Sequence, residues 1–463
     1  MVEEFAGCEF RDVRHGKRFR TLVQQLAEGI GESIPWACQD WASTKAAYRF
    51  FANERVNAEQ ILAGHYQCTR QRLPPGEETI LVLHDTTELT YKREDEAAVG
   101  MIGKAKMVKD QQGKPLYFTT SGICQHSSLV VTAEGLPLGL AAVKFWSRKE
   151  FKGPEGRKRA RSGPIEARES VRWLENLREA TARLEQPGRC VHVADQEGDI
   201  YELFCAAQEC GAHFLIRTQA VRLAEGGPET LAEKVQQTPR RGVYRITVRD
   251  PQGELCPVEL EIRYRDLSVR APHGKKKQYP GLKVTVIEAR ERGTPRGRDR
   301  IDWKLITDLS VHSCPEAIEK VRWYALRWRI ETFHKVLKSG CKAENAKLRT
   351  APRLINLVAV LCILSWRIFW LTMINRSAPE ARPEWVFTAL EVHILDRLVK
   401  NKANATKRAE PTLSSYVTKL AQLGGYLARN TDPPPGNMVI WRGLSRLVDI
   451  ELGVMIGARF VGN

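Results

Sequence analysis

The sequence predicts an α/β protein whose mixed core is interrupted by a β-rich insertion and flanked by helical units. Three observations predict it. Apolar runs of buried-strand length occur at 80–84, 128–132, 138–145, 190–194 and 213–217, with a helical stretch at 165–184 among them; strands alternating with helices indicate an α/β core. Between about 225 and 300, the runs VYRITVRD, VELEIRYRDL and LKVTVIEARE alternate apolar and polar residues, the pattern of half-buried strands. Residues 1–70 and those beyond 374 instead show helical spacing.

Composition narrows the class. The chain has 463 residues, 43% apolar and 27% charged, which excludes wholesale disorder, collagen-like repeats and a disulfide-stapled miniprotein. We divide it into a helical unit at 1–70, a central unit at 71–380 that contains the insertion, and a helical unit at 381–463. Lys and Arg number 72 against 55 acids, a net charge of +17. A protein this basic points to a polyanionic partner, nucleic acid first; the bland alternative is a basic but merely soluble protein. The eleven cysteines are scattered without a CxxC pair, so we expect reduced thiols and no zinc site. The N-terminus lacks the apolar stretch of a signal peptide. Residues 354–374 approach membrane-span length, but Asn356 and Arg367 interrupt them, which favours a buried core helix. These features predict a cytoplasmic protein with no membrane partner.

Basic residues cluster in three places. In the N-terminal unit, Arg11, Arg14, Lys17, Arg18 and Arg20 precede WASTKAAYRFF, a helix able to present Lys45, Tyr48 and Arg49 to a DNA backbone. A helical bundle with a solvated basic face fits the same residues. The stretch 147–163 holds RKRAR, and the insertion carries RAPHGKKKQYPG and RGTPRGRDR. These read as loops ordered by DNA, or as solvated linkers.

The most informative segment runs from Ser313 to Lys338. Ser313 and Glu316 have capping-box spacing, and Pro315 suits a first turn. At about 100° per residue, Leu326, Ile330, Phe333 and Leu337 share one face. Tyr324, Arg327, Glu331, Lys335 and Lys338 share the other, so a single acid lies among three cations and a phenol. That arrangement suits a metal-binding carboxylate flanked by phosphate contacts, although an exposed basic helix with one ion pair would look similar. Two further acids bear on the choice. Asp85 ends one strand run and Asp195 another, and acids at strand C-termini project into a shared ligand crevice in open α/β sheets. Two Asp and one Glu offer hard oxygen ligands suited to Mg²⁺ or Mn²⁺. Glu88, Glu197 and Asp199 are nearby rivals, expected to cap or to face solvent.

With HDTTELTY (84–91), ADQEGDIYELF (194–204) and the spacing Tyr324-x2-Arg327-x3-Glu331-x6-Lys338 in view, the chain resembles a known family. It is similar to the bacterial DDE transposases with an RNase H-like core, in the insertion-sequence-four group that includes the transposon-five transposase. KAAYRFFANERV and LAQLGGYLARNTDPPPGNMVIWRGLSRLVD extend the likeness towards both ends.

The resemblance implies an RNase H-like catalytic core and a metal-binding triad of Asp85, Asp195 and Glu331 holding two Mg²⁺ ions, with Mn²⁺ able to substitute. It implies that Tyr324, Arg327 and Lys338 contact transposon-end phosphates, that Lys335 adds a DNA contact, and that Arg217 lies near the cleaved end. Trp303 would stack on a flipped base, against the reading of an ordinary core tryptophan. His126 would be either an outer residue of the site or a satisfied core histidine. The N-terminal unit would recognise inverted-repeat ends and the C-terminal unit would support a homodimer in a synaptic complex. The implied activity is cut-and-paste transposition of double-stranded DNA into a target, through a hairpin. Two alternatives stand beside it: a catalytically silent DNA-binding regulator, and an RNase H-like nuclease without strand transfer. Gln196 departs from the family pattern, where a basic residue is common, which puts a phosphate contact there in doubt.

Overall fold

The computed structural model describes residues 3–461, apart from 94, 110–114, 149–163, 219–221, 250–254, 273–278, 280, 296, 400–410 and 430. The basic RKRAR stretch and the KKK run of the insertion therefore lie outside the described residues.

Five helices open the chain: α1 (Glu3–Ala6), α2 (Val13–Glu28), α3 (Ile34–Cys38), α4 (Trp41–Phe51) and α5 (Ala58–Gln71). Side-chain caps start α2 to α5, from Asp12, Ser33, Asp40 and Asn57, each accepting a backbone N–H that the helix leaves unpaired. Phe5, Phe10, Phe19, Phe50 and Phe51 form the aromatic core of this unit.

A sheet follows: β1 (Ile80–Thr90), β2 (Met101–Lys109), β3 (Pro115–Thr132) and β4 (Pro137–Trp146), then α6 (Val171–Leu184), β5 (Cys190–Ala194), α7 (Tyr201–Glu209) and β6 (His213–Arg217). In space β4 pairs with β3, and the order continues β3-β1-β5-β6. The β4, β3 and β1 strands run antiparallel, whereas β5 and β6 run parallel to β1. This mixed order is that of an RNase H-like core. The helix expected over 165–184 is shorter, with a 3-10 turn at Ile165–Ala167 before α6 begins.

The insertion holds α8 (Leu231–Gln236), β7 (Gly242–Arg249), β8 (Leu255–Val269), β9 (Leu282–Glu291) and β10 (Asp302–Thr307). Its strands do not form a separate sheet. Antiparallel pairing of β10 with β6 joins them to the core, giving ten strands in one sheet among the described residues.

Helical sequence closes the chain: α9 (Cys314–Ala325), α10 (Trp328–Lys335), α11 (Ala351–Ser377), α12 (Ala389–Leu398), α13 (Leu413–Leu423) and α14 (Asn437–Val461). By length and composition α11 could cross a membrane, but 89% of its most apolar window is buried inside the protein. It is the central core helix, and its Asn356 donates to the Phe51 and Val56 carbonyls. The α13 and α14 helices cross closely enough that a Cβ on Gly443 would collide with the Leu420 carbonyl. All eleven cysteines are free.

The site helix α10 is seated by this core. Ile330 and Phe333 are fully buried, and the Phe333 ring meets Phe369 of α11 edge-on at 6.2 Å. We expect Phe369→Ala to lower unfolding free energy by about 3–5 kcal/mol, the range for a large side chain removed from a packed core. Urea denaturation measures this directly.

Candidate active site

The site lies where the parallel strands end. Backbone pairing of β1 with β5 runs from Ile80↔Cys190 to Leu83↔Val193, and pairing of β5 with β6 ends at Ala194↔Ile216. Asp85 and Asp195 lie two residues past the end of the first ladder, and Arg217 follows the last pair of the second. Asp85 is not at the end of its own strand, as the apolar run had implied. On its other side β1 stays paired with β3 as far as Thr90↔Gly122, which keeps the backbone extended through HDTTELT. Asp195 caps a 3-10 turn at Gln196–Gly198, accepting the Glu197 N–H at 2.9 Å.

Glu331 arrives on α10. Ser313 caps α9 by accepting from Glu316 N, with Pro315 in the first turn, as the sequence predicts. The single helix expected over 313–338 is instead broken. The first piece ends at Ala325, the second begins at Trp328, and a π-turn occupies Val336–Gly340. Such turns interrupt the regular repeat and often accompany functional sites. A second correction concerns Tyr324, which is 5% exposed and not on an open polar face.

Arg327 organises the acids. Its guanidinium donates to Glu331 and stands 3.8 Å from Asp85 Oδ1. Atom Nη1 is buried and makes no hydrogen bond. The cation thus touches an acid from the sheet and an acid from the helix. Asp195 belongs to the same cluster. Burial pushes the Glu197 carboxyl up, and the charges of Asp195, Asp85 and Glu88 push it the same way. Burial also raises Tyr324, against the pull of the Arg327 and Arg217 guanidiniums. The Trp303 ring meets the Tyr324 ring edge-on at 5.0 Å.

The structure therefore brings Asp85, Asp195, Glu331, Arg327, Tyr324, Arg217 and Trp303 into one neighbourhood. Lys335 is exposed on α10, and Lys338 is half-buried in the π-turn. Lys45, Tyr48 and Arg49 are exposed on α4, away from these acids in the chain's helical N-terminal unit, and share that exposure with Trp41. Among the rivals, Glu88 is 52% exposed on its side chain and faces Arg148 at 3.9 Å. Asp199 differs from expectation: its side chain is 2% exposed and ion-paired with Arg222 at 2.5 Å. His126 is a buried core residue, bonded to Thr86 Oγ1 at 2.9 Å and packed on Trp173.

Sequence reasoning missed His334. Its Nδ1 is 3.5 Å from Asp85 Oδ2, and its Nε2 lies 3.2 Å from Ser127 Oγ. The signal was present, since position 334 is one helical turn after Glu331 and faces the same way. Trp328, 65% exposed beside Arg327, was missed as well.

Among the described residues no three His, Cys, Asp or Glu side chains are gathered tightly enough to hold a metal ion as they stand. Arg327, in contact with two of the three acids, supplies the neutralising charge in this arrangement.

Two family comparisons bear on the class. Residues 1–56 match the family described as "Transposase DNA-binding". Residues 363–462 match "Transposase Tn5 dimerisation domain". Together with the RNase H-like core between them, these matches support a transposase. More narrowly, they support a Tn5-like transposase, with a DNA-binding domain at one end and a dimerisation domain at the other.

We expect Arg327→Met to destabilise the DNA-free protein in EDTA by about 1–3 kcal/mol, because it strips the cation from Asp85 and Glu331 in a partly buried site. Urea unfolding of the two proteins side by side checks it; equal stability would show that the guanidinium is not what balances these acids.

Proposed function

We propose that the protein carries out cut-and-paste transposition, with Asp85, Asp195 and Glu331 as its catalytic carboxylates. One observation carries the reading: an acid of β1 and an acid of α10, distant in sequence, meet at the Arg327 guanidinium, and Asp195 lies close enough to act with Asp85 on the Glu197 carboxyl. The donor set is all carboxylate, which fits hard divalent cations and not zinc. Two Mg²⁺ ions, or Mn²⁺ in their place, would supply activation of the attacking oxygen and stabilisation of the leaving oxygen at the scissile phosphate.

The remaining residues bind and orient DNA. Arg327 changes partners, releasing its acids and taking a phosphate through the same planar donors. Tyr324, Arg217, Lys335 and Lys338 surround that position with a phenol and further cations. Trp303, held against Tyr324, offers an aromatic face for an unstacked base, a contact worth about 1–3 kcal/mol per base. Lys45, Tyr48 and Arg49 on α4 belong to the region matching the DNA-binding family, and we assign them contacts to the transposon ends. The reaction order is hydrolysis at the end, attack of the freed 3′-hydroxyl on the opposite strand to give a hairpin, hairpin opening, and attack of the same hydroxyl on target DNA. Two protomers would hold two ends.

Asp85→Asn, Asp195→Asn and Glu331→Gln are each expected to abolish nicking of an end-bearing duplex while retaining its binding in a gel shift. Mg²⁺-dependent cleavage by the Asp195→Asn protein would refute the assignment. Pre-cut ends offered with a supercoiled target separate a transposase from a nuclease, which would give no joined product. Lys338→Ala should weaken end binding uniformly across sequences and reduce the slope of log affinity against log salt by about one.

A further inference from the structure

The strands that bear the two aspartates present a second set of polar side chains to the other face of the sheet. In β1, Leu81, Leu83 and Asp85 alternate with Ile80, Val82 and His84. Their neighbours divide accordingly. Leu81, Leu83, Val191 and Val193 pack in one core with Ile330 and Phe333 of the site helix, whereas Ile80, Val82 and Cys190 pack in another with Ala180 and Leu184 of α6. His84 and His192 belong to the α6 side, beneath the acids.

Backbone pairing between β1 and β5 stops at Leu83↔Val193, before either aspartate. Just there a side-chain bond joins the strands: His84 Nε2 lies 2.8 Å from His192 Nδ1. The rings are 3% and 1% exposed. The direction of every bond in this network can be worked out. Thr181 Oγ1 gives its proton to the Leu177 carbonyl at 2.8 Å, so it accepts from His192 Nε2–H at 2.9 Å. His192 Nδ1 is then bare and accepts from His84 Nε2–H. His84 Nδ1 in turn accepts from Ser128 Oγ–H at 3.1 Å. Ser128 Oγ accepts from Asn176 Nδ2 at 3.0 Å. The path leaves α6 at Asn176, crosses β3, β1 and β5, and returns to α6 at Thr181. Both imidazoles have all their nitrogens engaged, and only one proton arrangement satisfies them.

We propose that the His84–His192 pair is a positioning device that fixes the spacing of the β1 and β5 ends, so that Asp85 and Asp195 on the opposite face are held for shared divalent cations. This rests on the reading of those aspartates given above. Neither histidine touches DNA or the reacting atoms. Apolar side chains of like volume would fill the space, but they tolerate sliding; a directional bond between buried groups does not.

The test measures Mn²⁺ binding to the DNA-free protein by electron paramagnetic resonance, alongside end binding in EDTA. His192→Leu should weaken Mn²⁺ affinity roughly tenfold or more, as loss of support behind metal ligands does. His192→Asn, whose Oδ1 can stand where Nδ1 stood, should restore most of it. End binding should change less than about twofold in both, since no phosphate contact is lost. Equal Mn²⁺ affinities for wild type, His192→Leu and His192→Asn would overturn the proposal, and so would equal losses in the two variants, which would mean packing alone. An Asp85→Asn control separates the two levels: if wild-type Mn²⁺ binding does not depend on Asp85, the catalytic reading itself fails. Should the variants not fold, ¹⁵N-histidine spectra of the wild-type protein decide. Both rings must carry their proton on Nε2, and an Nδ1–H form at either overturns the proposal.

Discussion

The arrangement of the site depends on one constraint: parallel pairing of β1 with β5 brings acids 110 residues apart in sequence to the same end of one sheet. Neighbouring strands are about 4.8 Å apart, close enough for their carboxylates to repel unless a cation intervenes. In the DNA-free protein Arg327 offsets the charge of the β1 acid, Asp85, together with that of Glu331 from α10. The guanidinium can also exchange its carboxylates for phosphate oxygens, because both present the same bidentate geometry. On the function proposed above, a single side chain thus offsets acidic charge before substrate arrives and contributes to holding substrate afterwards. A lysine there would supply charge without the planar fork.

Much of this was legible in the sequence. The spans of β5 and β6 could be read directly, because buried parallel strands are short continuous apolar runs bounded by turns. The capped start of α9 was readable from Ser313, Pro315 and Glu316. The grouping of Tyr324, Arg327 and Glu331 followed from helical periodicity even though the helix is broken, since the two residues between the pieces, Leu326 and Arg327, keep helical backbone angles. The chemistry of the triad came from resemblance as much as from the residues.

What escaped was tertiary in origin. Tyr324 was placed on a polar face by helical angle, which says nothing of what covers that face; the packing of Trp303 from β10 shows it to be covered. His334 touches Asp85 across a gap of more than two hundred residues; its spacing from Glu331 marked the face it lies on, but not the distant acid it meets there. Asp199 looked like a cap because it lies in DQEGD, yet Arg222, beyond β6, draws it inward. In each case a partner from elsewhere in the chain decided what the side chain does.

The insertion is the clearest example of distant sequence building the site. Read along the chain, 225–300 looks like an appendage between β6 and the helix that carries Glu331. Its last strand, β10, instead pairs antiparallel with β6, setting Leu305 against Arg217 and bringing Trp303, two residues earlier in β10, to Tyr324. The β9 strand then holds β10 from the other side over its whole length, Asp302↔Arg290 to Thr307↔Thr285. The wall of the crevice beyond Asp195 is therefore insertion sequence, stiffened by a ladder on both flanks. An aromatic ring that is to receive a displaced base, as proposed for Trp303, must not yield when the base presses on it. Trp303 pairs with Ala289 of β9, the β6 ladder begins two residues on at Leu305, and a buried tyrosine braces the ring's edge, which meets that requirement better than a loop would.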